Sequence, residues 1–291
     1  MPATLPPLVS ADELAAAHAT GGHRLLVLDA TTHLDVPVDG QPYTVTADRD
    51  GYLAEHIPDA VFADVPGAWS DPEGAFAFAV PTPEQFSAAA GALGIGDDTH
   101  VVAYDTANNA WATRVWWLMR VFGHDAVSVL DGGLAAWKAA GHPVGSGAVS
   151  AEPARFTARF RPELVADKER VRRLSESGGS VVNALDPATF LGQAEKNPYA
   201  RRGRIPGSTN LPFFTLLDQT TGRFLDTEAL RETLVAGGLL SGEETVTYCG
   251  GGIAATLPAF AAYVVAGTEI AVYDGSLSEW TADPSQPVQV G

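Results

Sequence analysis

The chain has 291 residues, which suits two domains of roughly 140 residues each better than one compact core. Its composition is ordinary for a globular protein, 46% apolar and 18% charged, while a formal charge of −17 argues against nucleic acid or an anionic membrane surface as partner. No apolar run approaches the ~20 residues that span a bilayer, Met1-Pro-Ala-Thr-Leu-Pro-Pro lacks the pattern of a signal peptide, and a single cysteine forms no internal disulfide, which fits a reducing cytoplasm.

In chain order, Ser10 with Glu13 three residues on predicts a helix opened by a capping box. An apolar strand, Leu25–Asp29, comes next, followed by the turn Glu55-His56-Ile57-Pro58-Asp59-Ala60. After an amphipathic helix a second strand, His100–Tyr104, runs into Asp105, and Val129-Leu130-Asp131-Gly132-Gly133 closes the series. The same order then returns. Leu164–Ala166, the strand Ser180–Asn183, the turn Gly203-Arg204-Ile205-Pro206-Gly207-Ser208, the strand Thr245–Tyr248 running into Cys249, and Val272-Tyr273-Asp274-Gly275-Ser276 match the first set one by one. Each closing aspartate has a tryptophan six residues later, Trp137 or Trp280. Asp105 lies 26 residues before Asp131, and Cys249 lies 25 before Asp274.

A repeated series of short strands and helices predicts an α/β fold of two similar domains, each a mainly parallel sheet flanked by helices. The expected boundaries are residues 1–143, a connector at 144–165 rich in Pro, Gly and Ser that crosses the surface of one domain, and residues 166–291. The seven histidines, His18, His23, His33, His56, His100, His124 and His142, all fall in the first half without metal-ligand spacing, so no metal is expected.

Cys249 stands at the end of an apolar strand, and Gly250, Gly251 and Gly252 separate it from a helix that Ile253 and Ala254 begin. Ligands of open α/β sheets bind at the carboxyl ends of strands. Three glycines allow a tight turn that aims successive N–H groups into one cavity, and the following helix adds the positive end of its dipole. Such a cradle stabilises a thiolate or the terminal anion of a persulfide. A buried cysteine acting as a small hydrophobe is the alternative; strand end and glycine loop together favour the reactive one. The first copy carries Asp105 in the same place, so only the second is expected to do chemistry.

These residues resemble the tandem rhodanese family, which includes thiosulfate and 3-mercaptopyruvate sulfurtransferases. The likeness rests on the two Ile-Pro turns, Cys249-Gly-Gly-Gly-Ile-Ala254, Leu130-Asp-Gly-Gly-Leu134 and Tyr273-Asp-Gly-Ser276. It implies an inactive first domain and an active second, and a cofactor-free reaction. In it the cysteine takes sulfur from a small anionic donor and passes it to cyanide, a thiol or a protein thiol. Related phosphatases use Cys-x5-Arg loops; Ala255 stands where that arginine would, which argues against phosphate chemistry here.

The chain departs from the family at its substrate positions. Leu185 and Thr189 occupy places where active members carry arginines, and Gly251 replaces the serine of mercaptopyruvate-type loops. The resemblance matches His56 to a relay histidine, with a plain turn role as the alternative and His33 as a second histidine that would reach across the domain interface. Arg202 and Arg204, in the basic run 201–204, are the candidates to bind the donor anion instead. Arg114 is read as capping or pairing within its own helix, with a place facing the domain interface as the alternative, Asp131, Asp274 and Asp29 as bonding their own backbone turns, and Trp111, Trp116, Trp117 and Phe122 as packing residues. A sulfur carrier or regulatory module with little turnover is the competing function.

Overall fold

The computed structural model describes residues 5–20, 24–35 and 44–291; Met1–Thr4 and His23 lie outside them. The first half contains β1 (Leu8–Val9), α1 (Ala11–Thr20), β2 (Arg24–Asp29), β3 (Thr32–Asp35), β4 (Thr44–Ala47), α2 (Arg49–Ala54), β5 (Val61–Phe62), α3 (Pro83–Ala92), β6 (Thr99–Tyr104), α4 (Ala110–Val121), β7 (Val127–Leu130) and α5 (Gly133–Ala139). The second contains β8 (Val165–Ala166), α6 (Lys168–Ser177), β9 (Ser180–Asn183), α7 (Pro187–Phe190), β10 (Thr209–Asn210), α8 (Thr227–Ala236), β11 (Thr245–Tyr248), α9 (Thr256–Ala266), β12 (Ala271–Tyr273) and α10 (Ser276–Ala282).

Two five-stranded sheets result, ordered β1-β7-β6-β2-β5 and β8-β12-β11-β9-β10, and every strand pair in them is parallel. Parallel strands need helical crossovers on both faces, which is why the strands read as unbroken apolar runs rather than alternating ones. Strands β3 and β4 add a separate antiparallel hairpin to the first half. The capping box is present: Glu13 N–H donates to Ser10 Oγ at 3.3 Å and Ser10 N–H to Glu13 Oε2 at 2.8 Å.

The repeated sequence signals mark repeated bonds. Ile57 N–H donates to Tyr104 Oη and Ile205 N–H to Tyr248 Oη, both at 3.2 Å. Trp137 Nε1 donates to Pro143 O and Trp280 Nε1 to Pro287 O, both at 2.7 Å. Residues past Pro143 run along the first half: Ala154 N–H bonds Gly91 O, Arg159 N–H bonds Phe122 O, and Arg161 N–H bonds Val121 O.

Each sheet has an outer apolar cluster of its own, whereas one shared cluster lies between the halves. There α4 packs on α9. All twelve residues of α4, Ala-Trp-Ala-Thr-Arg-Val-Trp-Trp-Leu-Met-Arg-Val, are buried: a helix covered all round is mostly apolar, and its polar residues Thr113, Arg114 and Arg120 have bonded partners. Trp117 and Phe122 sit in the core, and Trp116 meets Phe260 at 5.0 Å and Tyr263 at 5.3 Å across the interface. Each such side chain contributes about 1.5–3 kcal/mol by burial.

Candidate active site

The carboxyl ends of β9 and β11 meet the first half at the shared core, and Cys249 lies there, 2% exposed. Its loop is held from one side by the start of α10. Ser276 Oγ accepts from Cys249 N–H at 3.0 Å and from Gly252 N–H at 3.2 Å, donates to Tyr273 O at 2.7 Å, and lies 4.0 Å from Cys249 Sγ. Leu277 N–H bonds Cys249 O, and both Ser278 N–H and Ser278 Oγ bond Gly250 O. Ser276 has φ +47°, a left-handed geometry that a non-glycine residue adopts at a cost. Gly252, at φ +76°, has its α-carbon so near Asp274 that a Cβ would come within 2.7 Å of Asp274 O, so only glycine fits.

The other side of the loop is held by the first half. Arg114, fully buried, crosses the interface: Nη1 lies 2.6 Å from Asp274 Oδ1 and 3.2 Å from Gly252 O, and Nη2 donates to Phe78 O at 2.5 Å. The guanidinium also stacks over Trp117 at 4.6 Å. Asp274 Oδ2 accepts from Val80 N–H at 2.8 Å. Asp131, its counterpart, accepts from Phe224 N–H at 2.8 Å. The local roles expected for Asp131 and Asp274 are therefore corrected, and for Arg114 the interface alternative holds over the helix-local one: all three clamp the two halves together. The pair is buried, and four of its polar atoms are bonded: both terminal nitrogens of Arg114 and both carboxylate oxygens of Asp274. Asp29 does bond its own turn, through Thr31 N–H at 2.9 Å and Thr31 Oγ1.

The first copy shows what the loop is shaped to hold. Asp105, in the place of Cys249, accepts four backbone N–H bonds, from Ala107 at 2.8 Å and from Asn109, Trp111 and Ala112 at 3.1 Å. Burial pushes its carboxyl above the usual carboxylate range, and the four donors pull it back. In the second copy the matching positions are Gly251, Ile253, Ala255 and Thr256. Thr256 N–H bonds Ile253 O. Those of Gly251, Ile253 and Ala255 find no acceptor within the described residues. The second copy thus leaves three backbone donors open at positions whose counterparts hold a carboxylate in the first.

A cavity of about 430 Å3 opens onto Cys249. The second half lines it with Leu185, Asp186, Thr189, Lys196, Pro198, Tyr199 and Phe213, beside Gly250, Gly251, Ile253, Ala254 and Ser278. The first half adds Thr32, His33, Leu34, Ala77, Phe78, Asn108, Ala110 and Trp111. His33 Nε2 is paired with Asp48 at 2.9 Å. Trp111 is thus more than a packing residue. Phe78 escaped the sequence reading altogether; it packs edge-on to Trp111 at 5.5 Å and has φ +64°, a conformation costing about 1–3 kcal/mol that its bond from Arg114 helps hold.

Three expected residues do not line this cavity. Arg204 Nη2 bonds Gly291 O at 2.9 Å with its guanidinium over Phe190 at 4.5 Å, and its backbone pairs with Gln289. Arg202 bonds the carbonyls of Ala194 and Glu195. Arg201 likewise bonds four carbonyls, at Trp280, Thr281, Asp283 and Gln286. Arg201 and Arg204 bond the segment 280–291, Arg202 bonds the loop at 194–195, and none of the three lines the cavity. His56, 1% exposed, stacks on Tyr52 at 4.6 Å, with its ring nitrogens at Ile57 O and Gly147 O and its backbone paired with Gly145. It pins the connector, as Arg204 pins the terminus in the second copy.

Comparison with known proteins agrees with this geometry. The family model for the rhodanese-like domain matches twice, over residues 10–140 and 168–283. The chain belongs to the rhodanese family. It is 35% identical over 240 residues to the 3-mercaptopyruvate sulfurtransferase of Escherichia coli K12, covering 82% of this chain and 84% of that one. It is 36% identical over 280 residues to the thiosulfate sulfurtransferase of Bos taurus, covering 94% and 91%. The crystal structure of SseA from Escherichia coli superposes with a TM-score of 0.78 at 30% identity, over 94% of this rhodanese and 99% of that chain. The family α/β fold accounts for the two like-ordered parallel sheets, and among the described residues no helix is long and apolar enough to cross a membrane.

Proposed function

We propose that this rhodanese is a sulfurtransferase that carries sulfane sulfur on Cys249, taking it from thiosulfate or 3-mercaptopyruvate and passing it to a thiol, a protein thiol or cyanide. The carrying observation is the cradle: three N–H groups, at Gly251, Ile253 and Ala255, stand without a protein acceptor where the first copy binds a carboxylate. The Cys249 thiolate attacks the outer sulfur of thiosulfate, the S–S bond breaks, and sulfite leaves with its electron pair. From 3-mercaptopyruvate the same attack breaks the C–S bond; the electron pair remains on carbon, which takes the thiol proton and departs as pyruvate. The persulfide anion so formed meets the cradle, with the α9 N-terminus behind it. An acceptor thiolate then removes the outer sulfur and restores Cys249.

In this reading Gly250, Gly251, Gly252, Ile253 and Ala254 shape the cradle, Ser276 holds its two ends, and the first domain contributes cavity wall but no nucleophile. The single thiol, Cys249, suits a reducing cytoplasmic setting. The test is transfer from either donor by the native protein and by Cys249→Ser. Transfer that disappears with the thiol supports the mechanism, and transfer that survives overturns it.

A further inference from the structure

The cavity over Cys249 differs in kind from a site built for a small dianion. Its volume of about 430 Å3 falls in the range of sites that enclose an organic molecule of some size, and a thiosulfate fills only part of it. Among the described residues no arginine lines it; its charged lining is Lys196 and Asp186, whose carboxylate accepts from Thr189 N–H and Oγ1, so the lining carries no excess of positive charge for a dianion. The walls next to the sulfur are rings and aliphatic chains: Phe78 and Trp111 from the first half, Leu185, Phe213 and Ile253 from the second. Gly251 leaves the floor bare, so that the Phe78 ring comes close; a Cβ there would lie 3.4 Å from Phe78 Cδ2. Phe78 is held in its left-handed conformation by Arg114, so a ring is presented to the cavity on a fixed backbone.

We propose that the sulfur acceptor is a small thiol with an apolar body of aromatic size, which lies between Phe78, Trp111 and Phe213 while its sulfur meets the Cys249 persulfide. The inference rests on the sulfurtransferase reading. The acceptor thiolate attacks the outer sulfur of Cys249–S–SH; the bond to Sγ breaks, its electron pair returns to Cys249 as thiolate, and the product leaves as R–S–SH. No oxidant or reductant enters. An apolar body gains from burial against these walls, and a hydroxyl-bearing one does not.

The experiment charges the protein with thiosulfate in excess, confirms the added sulfur by intact mass, removes the donor, and follows discharge by phenylmethanethiol and by 2-mercaptoethanol, two alkanethiols of similar acidity. The aromatic thiol is expected to discharge the persulfide about tenfold faster or more, the factor that burial of one apolar ring supplies. Phe78→Ala is expected to bring the ratio of the two rates toward one, and Phe78→Leu, which keeps an apolar wall, to retain most of it. Equal rates for the two thiols on the charged native protein would overturn the inference and leave the sulfurtransferase reading standing. Failure to charge Cys249 from thiosulfate and from 3-mercaptopyruvate alike would overturn both.

Discussion

Replacing Arg114 by methionine removes the guanidinium that joins the two halves at the active-site loop and keeps most of the side-chain volume. The side chain is fully buried, and its partner Asp274 is 6% exposed at 2.6 Å, so the change strands a buried carboxylate with Val80 N–H still donating to it. Removing one member of a buried pair costs about 3–5 kcal/mol. The carbonyls of Gly252 and Phe78 lose a donor as well, which places the loss at the upper part of that range. Because one apolar core runs through the interface, both halves should report the loss in a urea titration read by tryptophan fluorescence. Asp274→Asn in the same chain removes the stranded charge, and the double variant should recover about half of the stability or more. A single variant that loses less than about 1 kcal/mol, the worth of an exposed pair, would refute the clamp.

Ser276→Ala leaves two buried N–H groups, at Cys249 and Gly252, without an acceptor. At about 1–3 kcal/mol each, it should lower sulfur transfer at least tenfold, and unchanged kcat/KM would remove Ser276 from the site's support. Leu185→Arg places a cation on the cavity wall, and a charge-assisted bond of about 1.5–3 kcal/mol predicts roughly tenfold or greater gain in kcat/KM for thiosulfate; no gain would show that wall charge does not limit this donor. His56→Ala should reduce stability through the connector with kcat little changed, and a large kcat loss in a fully folded variant would restore a mechanistic role. Burial depresses the His124 imidazole below its ordinary value, against the bond to Thr99 O. The neutral ring is favoured in the fold, so stability present above about pH 6.5 is lost as pH falls from there through the folded pKa. His124→Gln should flatten that slope in denaturation curves measured from pH 7 down to 5, and an unaltered slope would contradict the assignment.

The duplicated fold was legible because each copy repeats its turns, strand ends and tryptophans at matching intervals, and these signals are local. Cys249 was legible for the same reason: a strand, a thiol and three glycines lie next to one another in the chain. The cavity walls were not, His33 apart, because Phe78 and Trp111 come to line the Cys249 cavity only through the packing of the two halves, α4 on α9, which no local pattern encodes. Arg204 was misplaced by its nearness to Ile205. The signal that would have placed it was the repeat itself, since His56 and Arg204 hold equivalent positions and both pair with the segment after the closing tryptophan. Arg114 could be placed at the interface only as an alternative, because its partner lies 160 residues away.

The intact mass of the protein after incubation with thiosulfate, and separately with 3-mercaptopyruvate, tests the central claim most directly. One added sulfur atom, absent in Cys249→Ser and removed again by cyanide or a thiol, is the result expected of a persulfide carried in the glycine cradle. A mass unchanged by both donors, or a sulfur still gained by Cys249→Ser, would contradict it.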